Sequence, residues 1–128
     1  MQESYEIGSE SNQDQPNQWL PEHVLPGFRS FMTEFYWECH GAAETILSAM
    51  ALGIGLSDEN HFKPSHPGHN NQLRLLHYPP VPAADIENQS ATRMGAHSDW
   101  GSITMVFQDD CGGLQVGPLF SLMLKPAC

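Results

Sequence analysis

Between positions 26 and 52 the apolar residues recur with the period of a helix. Phe28, Phe31, Met32, Phe35, Cys39, Ala42, Ala43, Ile46, Leu47 and Met50 keep the three-and-four spacing that gathers side chains on one face. This predicts one long helix over about 26–52, with Pro26 suited to its first turn and Gly53 and Gly55 able to take the left-handed conformations that end helices. Ser57-Asp58-Glu59 then caps one short extra turn, and the turn formers of KPSHPGHNN make 63–71 a loop. Beyond it the period changes. Leu73-Arg74-Leu75-Leu76-His77-Tyr78 lies between polar Asn71-Gln72 and Pro79-Pro80, as expected of a strand that stops where backbone donors run out. Residues 79–91 read as a Pro/Ala/Asn-rich loop, followed by short strands over 93–97, 102–108 and, after a Gly112-Gly113 turn, 114–116.

One long helix followed by a run of short strands predicts an α+β layout built on a mainly antiparallel sheet or jelly roll. Residues 1–25 are polar and read as an irregular lead-in pinned by Trp19 and Leu20. No repeat and no low-complexity tract is present.

Length and composition narrow the class. A chain of 128 residues with 40% hydrophobic and 16% charged residues has room for one domain with a modest core. The formal net charge of −10 repels phosphate backbones and anionic lipid, so neither nucleic acid nor membrane is an expected partner. Most of that charge sits in the first half, where ten acids face Arg29 alone. Cys39, Cys111 and Cys128 are odd in number and follow no framework spacing, which fits free thiols in a reducing compartment. The start MQESYEIGSE lacks a basic n-region and an apolar core, and the apolar run at 119–124 is too short to cross a bilayer. A cytoplasmic location is expected. The sequon Asn88-Gln89-Ser90 then reads as a polar loop without sugar.

The candidate chemistry lies at His97 and Asp99. On an extended backbone, side chains i and i+2 project from one face, so an imidazole and a carboxylate converge while Ser98 faces away. With a second histidine from elsewhere, this is a facial triad that leaves adjacent positions open on non-haem Fe(II). The bare H-x-D pattern is expected by chance about 0.3 times in a chain of this composition, so context decides. The other histidines favour structural readings. His77, among Leu75, Leu76 and Tyr78, reads as a hydrogen-bonded, half-buried residue. His61, His66 and His69 have spacing that could take Zn²⁺ or Ni²⁺, but they lie in a Pro/Gly-rich turn without cysteine partners. Cys39 continues the apolar stripe of the helix and diverges from neighbouring His40, and the aromatics Phe28, Phe31, Phe35 and Trp37 read as packing.

The stretch Arg93-Met94-Gly95-Ala96-His97-Ser98-Asp99-Trp100-Gly101-Ser102-Ile103-Thr104, followed by Phe107-Gln108-Asp109-Asp110-Cys111-Gly112-Gly113-Leu114-Gln115-Val116, resembles the iron-binding core of the 2-oxoglutarate/Fe(II)-dependent dioxygenases, in the isopenicillin N synthase-like branch. Residues 72–80, QLRLLHYPP, resemble the strand before that core, and Tyr5-Glu6-Ile7-Gly8 with Trp19-Leu20-Pro21 the linker ahead of the long helix. The resemblance runs over about residues 4–116. It implies a long helix packed on a partial, incomplete double-stranded β-helix, with residues 26–116 as the partial dioxygenase domain and 117–128 as a tail unrelated to the family.

By the same resemblance, His97 and Asp99 are the first two iron ligands, and Tyr78 contacts the carboxylate of the cosubstrate 2-oxoglutarate. Many relatives share that contact with an Asn two places earlier, where this chain has Leu76. The implied reaction couples decarboxylation of 2-oxoglutarate to succinate with oxidation of a small organic substrate, often in secondary metabolism. The family's second histidine and its carboxylate-binding arginine come later than this chain reaches, 29 residues after Asp99, and no histidine follows His97. The expectation is therefore a chain truncated at both ends that lacks one ligand and the anion clamp. Little or no turnover by the chain alone is expected, with self-association through exposed strand edges. A non-catalytic binding module derived from such an enzyme is the competing expectation.

Overall fold

The computed structural model describes residues 2–88 and 94–112, the side chain of His69 excepted. They divide into two units, residues 2–78 and a second unit from Pro79 onward.

In the first unit, β1 (Glu3–Ile7) pairs antiparallel with β2 (Leu73–His77), placing Tyr5 opposite Leu75 and Ile7 opposite Leu73. β2 falls where the polar Asn71-Gln72 and the two prolines predicted a strand. β1 corrects the reading of 1–25 as irregular throughout. Its five residues carry three polar side chains, so no apolar run announces it, and it exists because β2 offers a ladder to join. Arg74 meets Glu6 at 2.8 Å and His77 Nδ1 meets Glu3 at 2.7 Å across the ladder. On the face they share, Ile7 is buried and Tyr5 packs edge-on against Phe28, ring centroids 5.7 Å apart.

α1 (Phe28–Gly53) matches the predicted helix to within two residues at each end. Gly27 is its N-cap at φ 75°, so Pro26 stands just before the cap and not in the first turn. The C-terminus closes as a Schellman motif: Gly55 sits at φ 86°, its N–H donates to the Leu52 carbonyl at 3.0 Å, and the Leu56 N–H donates to that of Ala51 at 3.0 Å. The left-handed geometry is what requires glycine there. Met32, Tyr36, Leu47 and Ala51 are buried along one face. Phe31, Ile46 and Met50 belong to the same apolar set but remain exposed, so the stripe is wider than the core it serves.

Two knots hold this unit together. Glu10 accepts hydrogen bonds from Asn17 Nδ2 at 3.0 Å, Trp19 Nε1 at 2.8 Å and the Arg29 guanidinium, while Trp19 packs edge-on against Phe28. Trp19 is thus the anchor expected of the lead-in. In the second knot, the Tyr36 hydroxyl donates toward the carbonyls of Gly68 and Asn71, and Asn71 Nδ2 donates to His40 Nδ1 at 3.1 Å. A Cβ on Gly68 would stand 2.6 Å from the Trp37 ring and 2.9 Å from His40 Nε2, so the loop lies on α1 at a distance only glycine allows. That loop, 63–71, contains 3-10 turns at Lys63–Ser65 and Gly68–Asn70, and Asp58 Oδ1 caps the turn before it by accepting from Asn60 N–H at 2.9 Å.

In the second unit α2 (Ala83–Glu87) interrupts what was expected to be a loop. Pro82 leads in with extended ψ, Asp85 sits in the first turn, and the Asn88 N–H closes onto Ala84 O at 3.0 Å. The strands predicted over 93–97 and 102–108 do not form in their described parts, which hold no ladder partner. A strand is a paired object: apolar alternation at 103–107 supplies a face, but backbone donors and acceptors still need a neighbour. The strand expected at 114–116 and the tail at 117–128 lie outside the described residues. The jelly roll implied by the resemblance is represented here by the helix and a two-stranded sheet. No helix among the described residues is long and apolar enough to cross a membrane.

Candidate metal centre

His97 and Asp99 lie on unpaired backbone in the second unit. They nonetheless converge: His97 Nε2 stands 3.3 Å from Asp99 Oδ1. The other ring nitrogen, Nδ1, is 2.9 Å from the Gly95 carbonyl oxygen. A carbonyl only accepts, so Nδ1 carries the proton and Nε2 is turned toward the carboxylate. Nε2, the nitrogen not engaged by that hydrogen bond, is therefore the one that approaches the carboxylate.

The donor set and its spacing suit a small divalent ion. Two donors about 2.1 Å from one ion, at about a right angle to each other, stand roughly 3 Å apart. The i, i+2 convergence thus holds while the strand and the enclosing cavity expected around it do not. The His97 side chain is 53% and that of Asp99 46% exposed, and Trp100 beside them is fully exposed. No group of three or more His, Cys, Asp or Glu side chains able to hold a metal occurs among the described residues. A shallow groove on α1, lined by Glu22, Arg29 and Trp37, includes neither ligand candidate.

The remaining candidates fall into place individually. Tyr78 is half-buried directly after β2. His77 is exposed and bonded to Glu3, which corrects the half-buried reading: it stands at the last position of β2, opposite Glu3 at the start of β1, where its ring meets a carboxylate instead of a core. His66 Nδ1 is 2.7 Å from the Phe62 carbonyl and His61 packs edge-on against Phe62, so each ring engages its own turn. Cys39 is half-buried, and burial, assisted by Glu38, pushes its thiol pKa up, the opposite of an activated nucleophile. Reading side chains alone missed the Gly95 carbonyl, because a backbone acceptor leaves no mark in residue type.

No family model matches the chain. Individual proteins do. A 2-oxoglutarate-dependent dioxygenase of Aspergillus rugulosus is 44% identical over 115 residues, which is 89% of this chain and 34% of that protein. A 2-oxoglutarate-Fe(II) type oxidoreductase of Metarhizium majus is 38% identical over 90% of this chain and 32% of its own length. Among solved structures, a full-length Neurospora crassa protein crystallised in complex with alpha-KG overlays with a TM-score of 0.69 at 39% identity, covering 79% of this chain and 31% of that one. The chain thus spans about a third of the length of the relatives it matches. Over that third, sequence and fold are both similar to those of 2-oxoglutarate-dependent dioxygenases.

Proposed function

We propose that the chain carries the first two iron ligands and one cosubstrate contact of an Fe(II)- and 2-oxoglutarate-dependent oxygenase that oxidises a small organic molecule, in secondary metabolism. The observation that supports this most directly is the 3.3 Å approach of His97 Nε2 to Asp99 Oδ1. The names of the relatives, which specify 2-oxoglutarate and Fe(II), agree with it. Bound iron and 2-oxoglutarate together supply the route by which dioxygen oxidises a substrate while the cosubstrate loses carbon dioxide.

The chain's own residues have simpler tasks. His97 offers Nε2 as a neutral donor, and Asp99 offers an anionic oxygen that offsets part of the ion's charge. Tyr78 offers a hydroxyl to the 2-oxoglutarate carboxylate, and Leu76 adds no polar contact of its own. With two ligand candidates among the described residues, both about half exposed, the expected affinity for iron is low and turnover is expected to be impaired.

A second reading, a non-catalytic binding module derived from such an enzyme, is favoured by the apolar side chains that α1 leaves on the surface, Phe31 at 64% exposure among them. Anaerobic titration with Fe(II) and 2-oxoglutarate separates the two. The oxygenase reading expects a weak charge-transfer band that Asp99→Ala abolishes. Its absence from the unmodified chain overturns that reading in favour of the module.

A further inference from the structure

We infer that the backbone carbonyl of Gly95 is the positioning group for His97, selecting the ring tautomer and leaving Nε2 as the nitrogen available to a divalent cation beside Asp99. The inference rests on the metal-site reading above and adds the device that orients it. Three observations carry it. The Nδ1-to-oxygen distance is 2.9 Å, within the ordinary range for an N–H donor, and the acceptor can be nothing but an acceptor. The opposite nitrogen, and not Nδ1, faces the carboxylate. The three groups come from residues 95, 97 and 99 of one continuous stretch, so the orientation is set within five residues of chain.

An exposed imidazole otherwise rotates about two side-chain bonds and exchanges its proton between two nitrogens. Some of those states turn the wrong nitrogen toward a cation. A hydrogen bond from the far nitrogen removes them, which is why ligating histidines are so often held by a backbone carbonyl or carboxylate behind the ring. Gly95 is also a position where a side chain is sterically tolerated: a Cβ there meets nothing within 4 Å, and its φ is not in the left-handed region. It is therefore the carbonyl, and not the lack of a side chain, that the site uses. Gly95→Ala is accordingly expected to leave the arrangement intact.

The test uses the full chain and Zn²⁺ as a diamagnetic probe. Long-range ¹H–¹⁵N correlation spectra of the His97 ring are expected to show a protonated Nδ1 before and after Zn²⁺ is added, with the metal-induced shift confined to Nε2. Replacing His97 by Nδ1-methylhistidine removes the donor while keeping the Nε2 lone pair, and is expected to weaken Zn²⁺ binding about tenfold or more. His97→Gln, whose amide oxygen reaches the Nε2 position, is expected to retain more affinity than His97→Asn, whose oxygen sits nearer Nδ1.

A metal shift on Nδ1, or unchanged affinity on methylation, overturns the role of Gly95. Either result leaves the metal site itself standing, provided Asp99→Ala still abolishes Zn²⁺ binding. Failure of Asp99→Ala to affect binding overturns the metal-site reading instead.

Discussion

Residues 2–78 and residues 94–112 fix their polar side chains by contrasting means. In the first stretch the partners are far apart along the chain: Glu10 is held by Arg29, and Tyr36 reaches the carbonyls of Gly68 and Asn71. In the second they are two residues apart, as with Gly95, His97 and Asp99, or the Cys111 N–H on Asp109 Oδ1 at 2.9 Å. Long-range contacts close large loops and bury apolar surface together, so each depends on the others being in place. Short-range contacts order little chain and bury little, and Val106 and Phe107 in the same stretch stay exposed. Packing is concentrated in one stretch of this protein and the candidate chemistry in the other.

Substitutions that act on one stretch and spare the other test that contrast. The largest effect is expected from Leu47→Ala, which empties a buried position on α1 and should cost about 2–5 kcal/mol in urea unfolding. If amide exchange at residues 94–99 rises in step with that of α1, the two stretches are not independent and the contrast fails. Gly68→Ala comes next, at about 1–3 kcal/mol, because the new methyl overlaps the Trp37 ring and His40. A shift of the Trp37 indole resonance would locate the strain, and an unchanged melting curve would mean the loop does not press on α1.

The smallest effect concerns Glu10. Hydrogen bonds from Asn17 and then Arg29 hold its carboxyl below the ordinary value of 4.5. A depressed carboxyl contributes stability that is present above the ordinary value and lost as pH falls through the folded one. Glu10→Gln should therefore flatten the acid limb of a stability-against-pH curve while lowering stability at neutral pH by under about 1 kcal/mol, since Glu10 and Arg29 are both solvent-screened. An acid limb as steep as in the parent chain would assign it to other carboxylates.

Much of the first stretch was legible in residue order. The apolar period gave α1, the glycines at 53 and 55 gave its end although only Gly55 is left-handed, and the flanking Asn71-Gln72 and Pro79-Pro80 gave β2, because each signal is local. β1 was not legible, since Glu3, Ser4 and Glu6 carry no apolar alternation and the strand is made by its partner. At the candidate site, His97 and Asp99 were legible as a pair, and the resemblance of the surrounding stretch gave them their meaning. The strand and cavity expected around them did not follow. Alternation predicts which side a residue would face but supplies no second strand to face it from.

By itself, the order of residues determined the long helix, the spacing that lets position 97 meet position 99, and the resemblance to an oxygenase family, all of which depend on near neighbours or on likeness of motif. Tertiary structure alone decided that Ile7 is buried, that Gly68 must lack a side chain, and that the apolar stripe of α1 is only half covered. Those outcomes depend on which distant segment arrives, and a periodic pattern states that a face is available without stating what meets it.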